Sequence, residues 1–287
     1  MRLILLLIPI FIYAKCFVLP KRPILYSSTY PAVLLKDKTL LVFDSNLNLK
    51  WQKKFNAKIN SIKVYKNTIL LTGLKDSKFW IAKITKNKTI QKTYFNTAEG
   101  FDIVKIHNGY VAVGYKIFDH IGNIIKRFVI LKLDKNLNLI NSKTFGNYKS
   151  TGLKIFKQKP YLYIFVKMKK IFIVKFNYNI HLINYKLTDF KVIYDIRKFN
   201  NQILFTTEKN GLYDYDINKN KIFKLTSKNI DYIINPYKYI ICEKSKNYLI
   251  NNNQKKLLNN KIAGVILKKS ILYLIEKDKK NYLICKY

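Results

Sequence analysis

In a chain of 287 residues with 54 Lys+Arg, 16 Asp+Glu and three His, carboxylates are scarce, so their placement is informative. Ser61, Asp102, Asp195 and Asp231 each stand near the start of a short apolar run, at about the same place relative to the turn that ends it. Thr151 and Gly152 occupy the matching place in another run. Three carboxylates brought together could hold a cation or the lysines of a partner. With nearby lysines they could also serve a hydrolase or lyase acting on an acidic polysaccharide. The competing reading is that Asp and Ser at strand starts hydrogen-bond loop backbone and set the turn. Asp214 and Asp216 alternate with tyrosines and so share a strand face, either as an acid/base pair or as a solvated edge meeting Lys219 and Lys221. Asp119 lies beside His120 in a long hairpin that continues to Lys126 and Arg127, an insertion suited to partner contact.

The common catalytic signatures are missing. There is no Gly-Lys-Ser/Thr phosphate loop, Gly-x-Ser-x-Gly elbow, His-Glu-x-x-His pair or EF-hand pattern, and nine glycines leave little material for loops that cradle ligands. No cofactor and no metal is expected, since His107, His120 and His181 are too scattered for a zinc site. Three cysteines allow one disulfide and one free thiol. Cys16 with Cys285 would tie the chain ends, Cys242 with Cys285 would tie neighbouring C-terminal segments, and three unpaired thiols are the third arrangement.

The N-terminus carries an address. Met1 and Arg2 precede an apolar run from Leu3 to Tyr13 and then Ala14, the layout of a secretory signal peptide. A membrane-spanning helix needs about 20 apolar residues, so residues 1–14 read as an export signal rather than a retained anchor. Lys15 replaces the small residue that would precede a lipidated Cys16. Export to a bacterial periplasm or the cell surface is the expected destination. The net charge of +38 rests on 50 Lys and only four Arg. A diffuse lysine field attracts anionic lipid, lipopolysaccharide phosphates or acidic polysaccharide. Recognition of bases leans on the planar guanidinium, so nucleic acid is an unlikely partner. Lysine bias from an AT-rich genome is the alternative source of the charge.

The elements that must position these residues are strands. After residue 22 the apolar residues fall in short runs rich in Ile, Val, Leu, Tyr and Phe, such as Thr68–Thr72, Tyr110–Gly114, Tyr161–Val166 and Gln202–Thr206, separated by Asn- and Asp-rich turns. The segment from Phe43 to Phe55 recurs from Leu133 to Phe145 with Asp, Asn, Leu, Asn, Leu, Lys and Phe in register, and weaker copies begin at Ile84, Phe176 and Tyr215. Phe55, Phe95 and Phe145 end successive copies at a spacing of roughly 40 to 50 residues, with four strand-like runs per period, as in propeller blades. The units parse at 22–56, 57–96, 97–146, 147–188, 189–227, 228–260 and 261–287. The last holds only three strands. An all-β propeller of seven blades, with six as the alternative, is expected, its ring closed by the N- and C-terminal strands, such as 24–28 pairing with the last unit.

The run Ile130–Gly146, preceded by Phe101–Gly114, resembles bacterial secreted propeller repeats that read lysine-leucine-aspartate, then tryptophan, then lysine-threonine-phenylalanine-glycine; quinoprotein-like and WD40-like propellers are more distant. The resemblance is good over 97–146, fair over 38–96 and faint beyond. That pattern has Gly where Leu47 and Leu137 stand, and its Trp survives only as Trp51. It implies a binding or scaffold module and carries over no catalytic residue. The expectation is one propeller domain over 15–287, a non-enzymatic envelope protein with a protein partner on a propeller face, against the hydrolase or lyase and the nucleic-acid binder.

Overall fold

The computed structural model describes residues 16–27, 30–66, 68–86, 88–120, 123–146, 149–228, 230–235, 238–243, 246–251, 254–258, 260–268, 271–278 and 281–286. The segment 1–14, read as an export signal, lies outside them. The first strand, β1 (Cys16–Leu19), belongs to the last blade. Blade 1 is β2 (Pro23–Tyr26), β3 (Ala32–Leu35), β4 (Thr39–Phe43) and β5 (Leu49–Lys54). Blade 2 is β6 (Lys58–Tyr65), β7 (Thr68–Lys75), β8 (Lys78–Ile84) and β9 (Thr89–Asn96). Blade 3 is β10 (Ala98–Ile106), β11 (Gly109–His120), β12 (Asn123–Leu133) and β13 (Leu139–Phe145). Blade 4 is β14 (Thr151–Gln158), β15 (Tyr161–Lys167), β16 (Ile171–Asn177) and β17 (Leu182–Leu187). Blade 5 is β18 (Ile193–Phe199), β19 (Gln202–Thr207), β20 (Leu212–Asp216) and β21 (Lys221–Thr226). Blade 6 is β22 (Tyr232–Asn235), β23 (Lys238–Glu243), β24 (Lys246–Asn251) and β25 (Gln254–Leu258). Blade 7 takes β26 (Lys261–Lys268), β27 (Ile271–Asp278) and β28 (Asn281–Lys286) from the C-terminus and β1 as its outermost strand.

The protein is therefore an all-β, seven-bladed propeller whose ring is closed by both chain ends. The closing strand is Cys16–Leu19, upstream of the segment 24–28 expected for it. Blade 1 has no inner strand unless 23–26 supplies one, so the segment before it is left to complete blade 7. In that seam Cys16 lies opposite Cys285, and the two form a disulfide with Cα atoms 4.1 Å apart across a sequence separation of 269. Cys242, the alternative partner, is on β23.

A four-stranded sheet with two apolar faces needs a neighbour on each side. Each of the seven gaps between blades has its own core. Middle strands face a neighbour on both sides and read as continuous apolar runs, so β15 is buried along almost its whole length while β17, at the rim of the same sheet, is exposed. The aromatics that end the repeat units are wedges between blades. Phe55 meets the buried Trp80 of blade 2 edge-on at 6.0 Å, and Phe145 meets Phe128 and Phe176 at 5.8 and 5.1 Å.

The repeated Asp-x-Asn-Leu-Asn segment is a turn closed by its own aspartate. Asp134 Oδ1 accepts from the amides of Asn136 and Asn138, each at 2.7 Å, and Asp44 does the same with Asn46 and Asn48. The arrangement puts Leu137 at φ 65° and Leu47 at φ 59°, the left-handed region in which Gly is unstrained. Leu is kept because its side chain is buried: Leu137 is 0% and Leu47 2% exposed. Restoring Gly at Leu137 would relieve about 1–2 kcal/mol of backbone strain but forfeit about 2–5 kcal/mol of packing. Leu137→Gly is expected to lower stability by about 1–3 kcal/mol in urea unfolding, because the packing lost outweighs the strain relieved. A more stable variant would show that the turn, not the core, selects the residue.

Candidate functional site

All inner strands carry a shift of register against their second strand, at Pro23/Leu25, Ile59/Ser61, Gly100/Asp102, Gly152/Lys154, Ile193/Ile196, Ile233/Asn235 and Ile262/Gly264. A bulge bends the strand, re-aims a side chain and takes a backbone amide out of the ladder. Two aspartates accept from backbone amides on the inner strand of the following blade. Asp102 of blade 3 accepts from Ile155 N of blade 4 at 3.2 Å, and Asp195 of blade 5 accepts from Ile233 N of blade 6 at 2.9 Å. Gly100 is required next to the first of these, because a Cβ there would lie 2.1 Å from Thr72 Oγ1 and 2.5 Å from the Phe79 ring.

Asp102 also receives the Ser61 hydroxyl on Oδ1 at 2.6 Å and the Lys63 ammonium on Oδ2 at 3.2 Å, so it binds blades 2, 3 and 4 together. It is fully buried. Burial alone would raise its pKa, but the charges of Lys63 and Lys154 and the hydrogen bonds from Ser61 and Ile155 outweigh that and hold the carboxyl below its usual range. Asp195 accepts from Ile196 N at 2.8 Å and Arg197 Nε at 3.3 Å. Arg197 extends past it to the Val265 carbonyl of blade 7 at 2.9 Å. Asp231 lies elsewhere. The bulge of β22 has moved to its hairpin end, so Asp231 falls just before the strand and is exposed, its amide donating to Ile240 O at 3.0 Å.

The remaining sequence candidates are dispersed. Asp119 is exposed and His120 lies opposite Asn123, in a hairpin formed where β11 and β12 continue past the end of β10. Lys126 Nζ sits 3.7 Å from the centre of the Tyr115 ring, and the Arg127 guanidinium 5.6 Å from that of Phe118, so these cations stiffen the hairpin by stacking. Asp216 closes its turn through the amides of Asn218 and Lys219. Asp214 is buried against Gln202 Nε2 at 2.6 Å, and burial pushes its carboxyl above the usual range. A node the sequence reading missed is Glu99, which accepts from Lys58 at 2.6 Å, Asn60 at 2.7 Å and Tyr115 at 3.0 Å. It lies just ahead of the bulge that precedes Asp102, where the matching positions of blades 2, 5 and 6 hold Lys58, Val192 and Lys228.

Between the inner strands lies a cavity of about 420 Å³ on the ring axis, bounded by β2, β6, β14, β18 and β22. Lys63, Lys154, Arg197 and Lys198 line it, with Asp195 the one lining carboxylate among the described residues. Lys63 and Lys154 were also missed. Lys63 stands two residues beyond Ser61, so strand alternation alone places both on one face. Among the described residues no cluster of His, Cys, Asp and Glu is suited to a metal. A net positive lining repels cations and attracts oxyanions.

The fold is shared with solved structures at identities that speak of architecture alone. BBS1N in complex with ARL6DN superposes with a TM-score of 0.60 at 9% identity, covering 93% of each chain. BamB from Moraxella catarrhalis gives 0.53 at 8% identity over 91% of this chain and 82% of that one. The Dos1 propeller gives 0.54 at 11% identity over 89% of this chain and 74% of that one. No protein-family model matches the sequence, and no curated protein matches it.

Proposed function

We propose that this propeller is a non-enzymatic binding scaffold of the bacterial envelope that takes a protein partner on the rim of blades 3 and 4. The observation that carries the reading is β17. Four of its six residues, Leu182, Ile183, Tyr185 and Leu187, are large, apolar and exposed, and among the described residues no strand of the sheet lies beyond it. Edge strands are ordinarily guarded by lysine. The rim strand β5 carries Lys50, Lys53 and Lys54, whereas β17 has Lys186 alone. Beside β17 an apolar groove of about 240 Å³ opens between Phe145, Met168, Phe172 and Tyr185. A partner segment with an apolar anchor for this groove and acidic flanks for the lysine field fits the surface, and it can add a strand to the open edge.

Support for protein binding also comes from BBS1N, which has this fold and was crystallised with ARL6DN. Export is supported by the layout of residues 1–14 and by the disulfide, a bond that persists in oxidising compartments. The Asp-closed turns at Asp44 and Asp134 support kinship with the secreted repeat propellers. We read residues 15–287 as one domain, because β1 completes the blade that β28 ends. The lysine field adds attraction to anionic lipid, lipopolysaccharide or acidic polysaccharide as a secondary effect. The carboxylates that a hydrolase or lyase would use, Asp102 and Asp195, are committed to joining blades.

The test is capture from envelope extract of the producing cell at about 150 mM salt, where surface attraction is largely screened. The wild-type chain is compared with Leu182→Glu/Tyr185→Glu. A protein retained by the wild type and lost at least tenfold, or about 1.4 kcal/mol, by the variant is expected. Equal retention by both chains overturns the rim assignment. Capture of lipid or polysaccharide alone, lost as salt rises, overturns the protein-scaffold reading.

A further inference from the structure

The charges lining the axial cavity do not balance. Lys63 is paired with Asp102 at 3.2 Å and Arg197 with Asp195 at 3.3 Å. The side chains of Lys154 and Lys198 line the same cavity and make no hydrogen bond or ion pair among the described residues. Each is only partly exposed. Removing an ammonium from water is costly unless a negative charge answers it. Lys154 shares the charge of Asp102 with Lys63, which is paired to it directly, and among the described residues no carboxylate answers Lys198. The two carboxylates Asp102 and Asp195 thus face four cations.

The placement of these two lysines suits a ligand. They come from the inner strands of adjacent blades, β14 and β18, so stacking of the sheets directs both towards one space. Phe156, itself buried, walls that space, lowering the local dielectric and strengthening attraction to an anion. The volume of about 420 Å³ lies in the range of small-molecule sites. A lysine is a point-charge binder of phosphate and carboxylate oxygens, and the only guanidinium there is already held by Asp195 and the Val265 carbonyl.

We infer that the axial cavity is a binding site for a small polyvalent oxyanion, with Lys154 and Lys198 as its binding residues. This is independent of the rim reading: it concerns a soluble ligand on the axis and needs no partner. It also differs from the diffuse lysine field, because it assigns the affinity to two recessed side chains.

The probes are inorganic pyrophosphate and citrate, titrated calorimetrically into the full chain at about 150 mM sodium chloride, where surface attraction is largely screened. Lys154→Gln/Lys198→Gln is compared with Lys50→Gln/Lys92→Gln, which removes the same charge from exposed rim positions on β5 and β9. The expected result is saturable binding of at least one probe, weakened about tenfold or more (1.4 kcal/mol) in the axial pair and no more than about twofold in the rim pair. Pyrophosphate alone, citrate alone or both binding in this way supports the site and tells whether phosphate or carboxylate geometry is preferred. No saturable binding, or equal weakening in both pairs, overturns it. If the axial pair loses its strand circular-dichroism signal, the single variants Lys154→Gln and Lys198→Gln carry the same comparison.

Discussion

Asp102→Ala is expected to lower folding stability by about 3–5 kcal/mol, because it strands a buried cation rather than merely deleting a hydrogen bond. The substitution leaves Lys63 without its counter-charge and deprives the Ser61 hydroxyl and the Ile155 amide of their acceptor. Urea unfolding measures it. Asp102→Ala combined with Lys63→Met is expected to recover part of the loss, since the orphaned charge is then gone. A single variant within 1 kcal/mol of wild type, roughly the worth of one ordinary hydrogen bond, would show that the node does not hold blades 2, 3 and 4 together. The pH dependence follows from the direction of the shift. The Asp102 carboxyl titrates lower in the folded chain than in the unfolded one, where the value is about 3.9. Its stabilisation is therefore fully present above that value and disappears as the pH falls through the folded pKa. The single variant should show a shallower loss of stability on acidification than the wild type.

Reduction of the Cys16–Cys285 bond is the second large effect. The bond staples the outermost strand of blade 7 to β28 across a separation of 269 residues, and four residues of β1 are otherwise all that closes the ring. Chain-entropy reasoning for a loop of this length gives about 5–6 kcal/mol. For a chain of this size that corresponds to a fall in Tm of about 10 °C. Thermal melts with and without reductant measure it, and Cys16→Ser and Cys285→Ser should reproduce the reduced value and cease to respond to reductant. An unchanged melting curve would mean that burial of Leu19 against Phe43 and Tyr273 closes the ring without help.

How much of this was legible beforehand depends on the range of the interactions. Strand identity and blade number could be read because they rest on short-range signals. Each middle strand, such as β15, is covered on both faces and must be apolar throughout, and the Asp-closed turns at Asp44 and Asp134 bind residues only two and four positions away. The positive φ at Leu47 and Leu137, which shows that a Gly position of the repeat had been taken over by a core residue, needed backbone coordinates. Likewise, Asp231 keeps its place in the repeat but leaves the site, because a bulge can slide along a strand without altering the hydrophobic pattern.

What the linear order could not contain is which groups meet across blades. Asp102 finds Ser61 and Ile155 at sequence separations of 41 and 53, and Arg197 reaches Val265 at 68. Such partners are chosen by the stacking of whole sheets, as are the shared cavity of Lys154 and Lys198 and the choice of Cys16–Leu19 as the closing strand. Local hydrophobic periodicity dictates that there will be strands, turns and repeated sheets, since each needs only its own neighbours in the chain. The pairing of charges depends on where sheets tens of residues apart come to rest, and only the closed ring decides that.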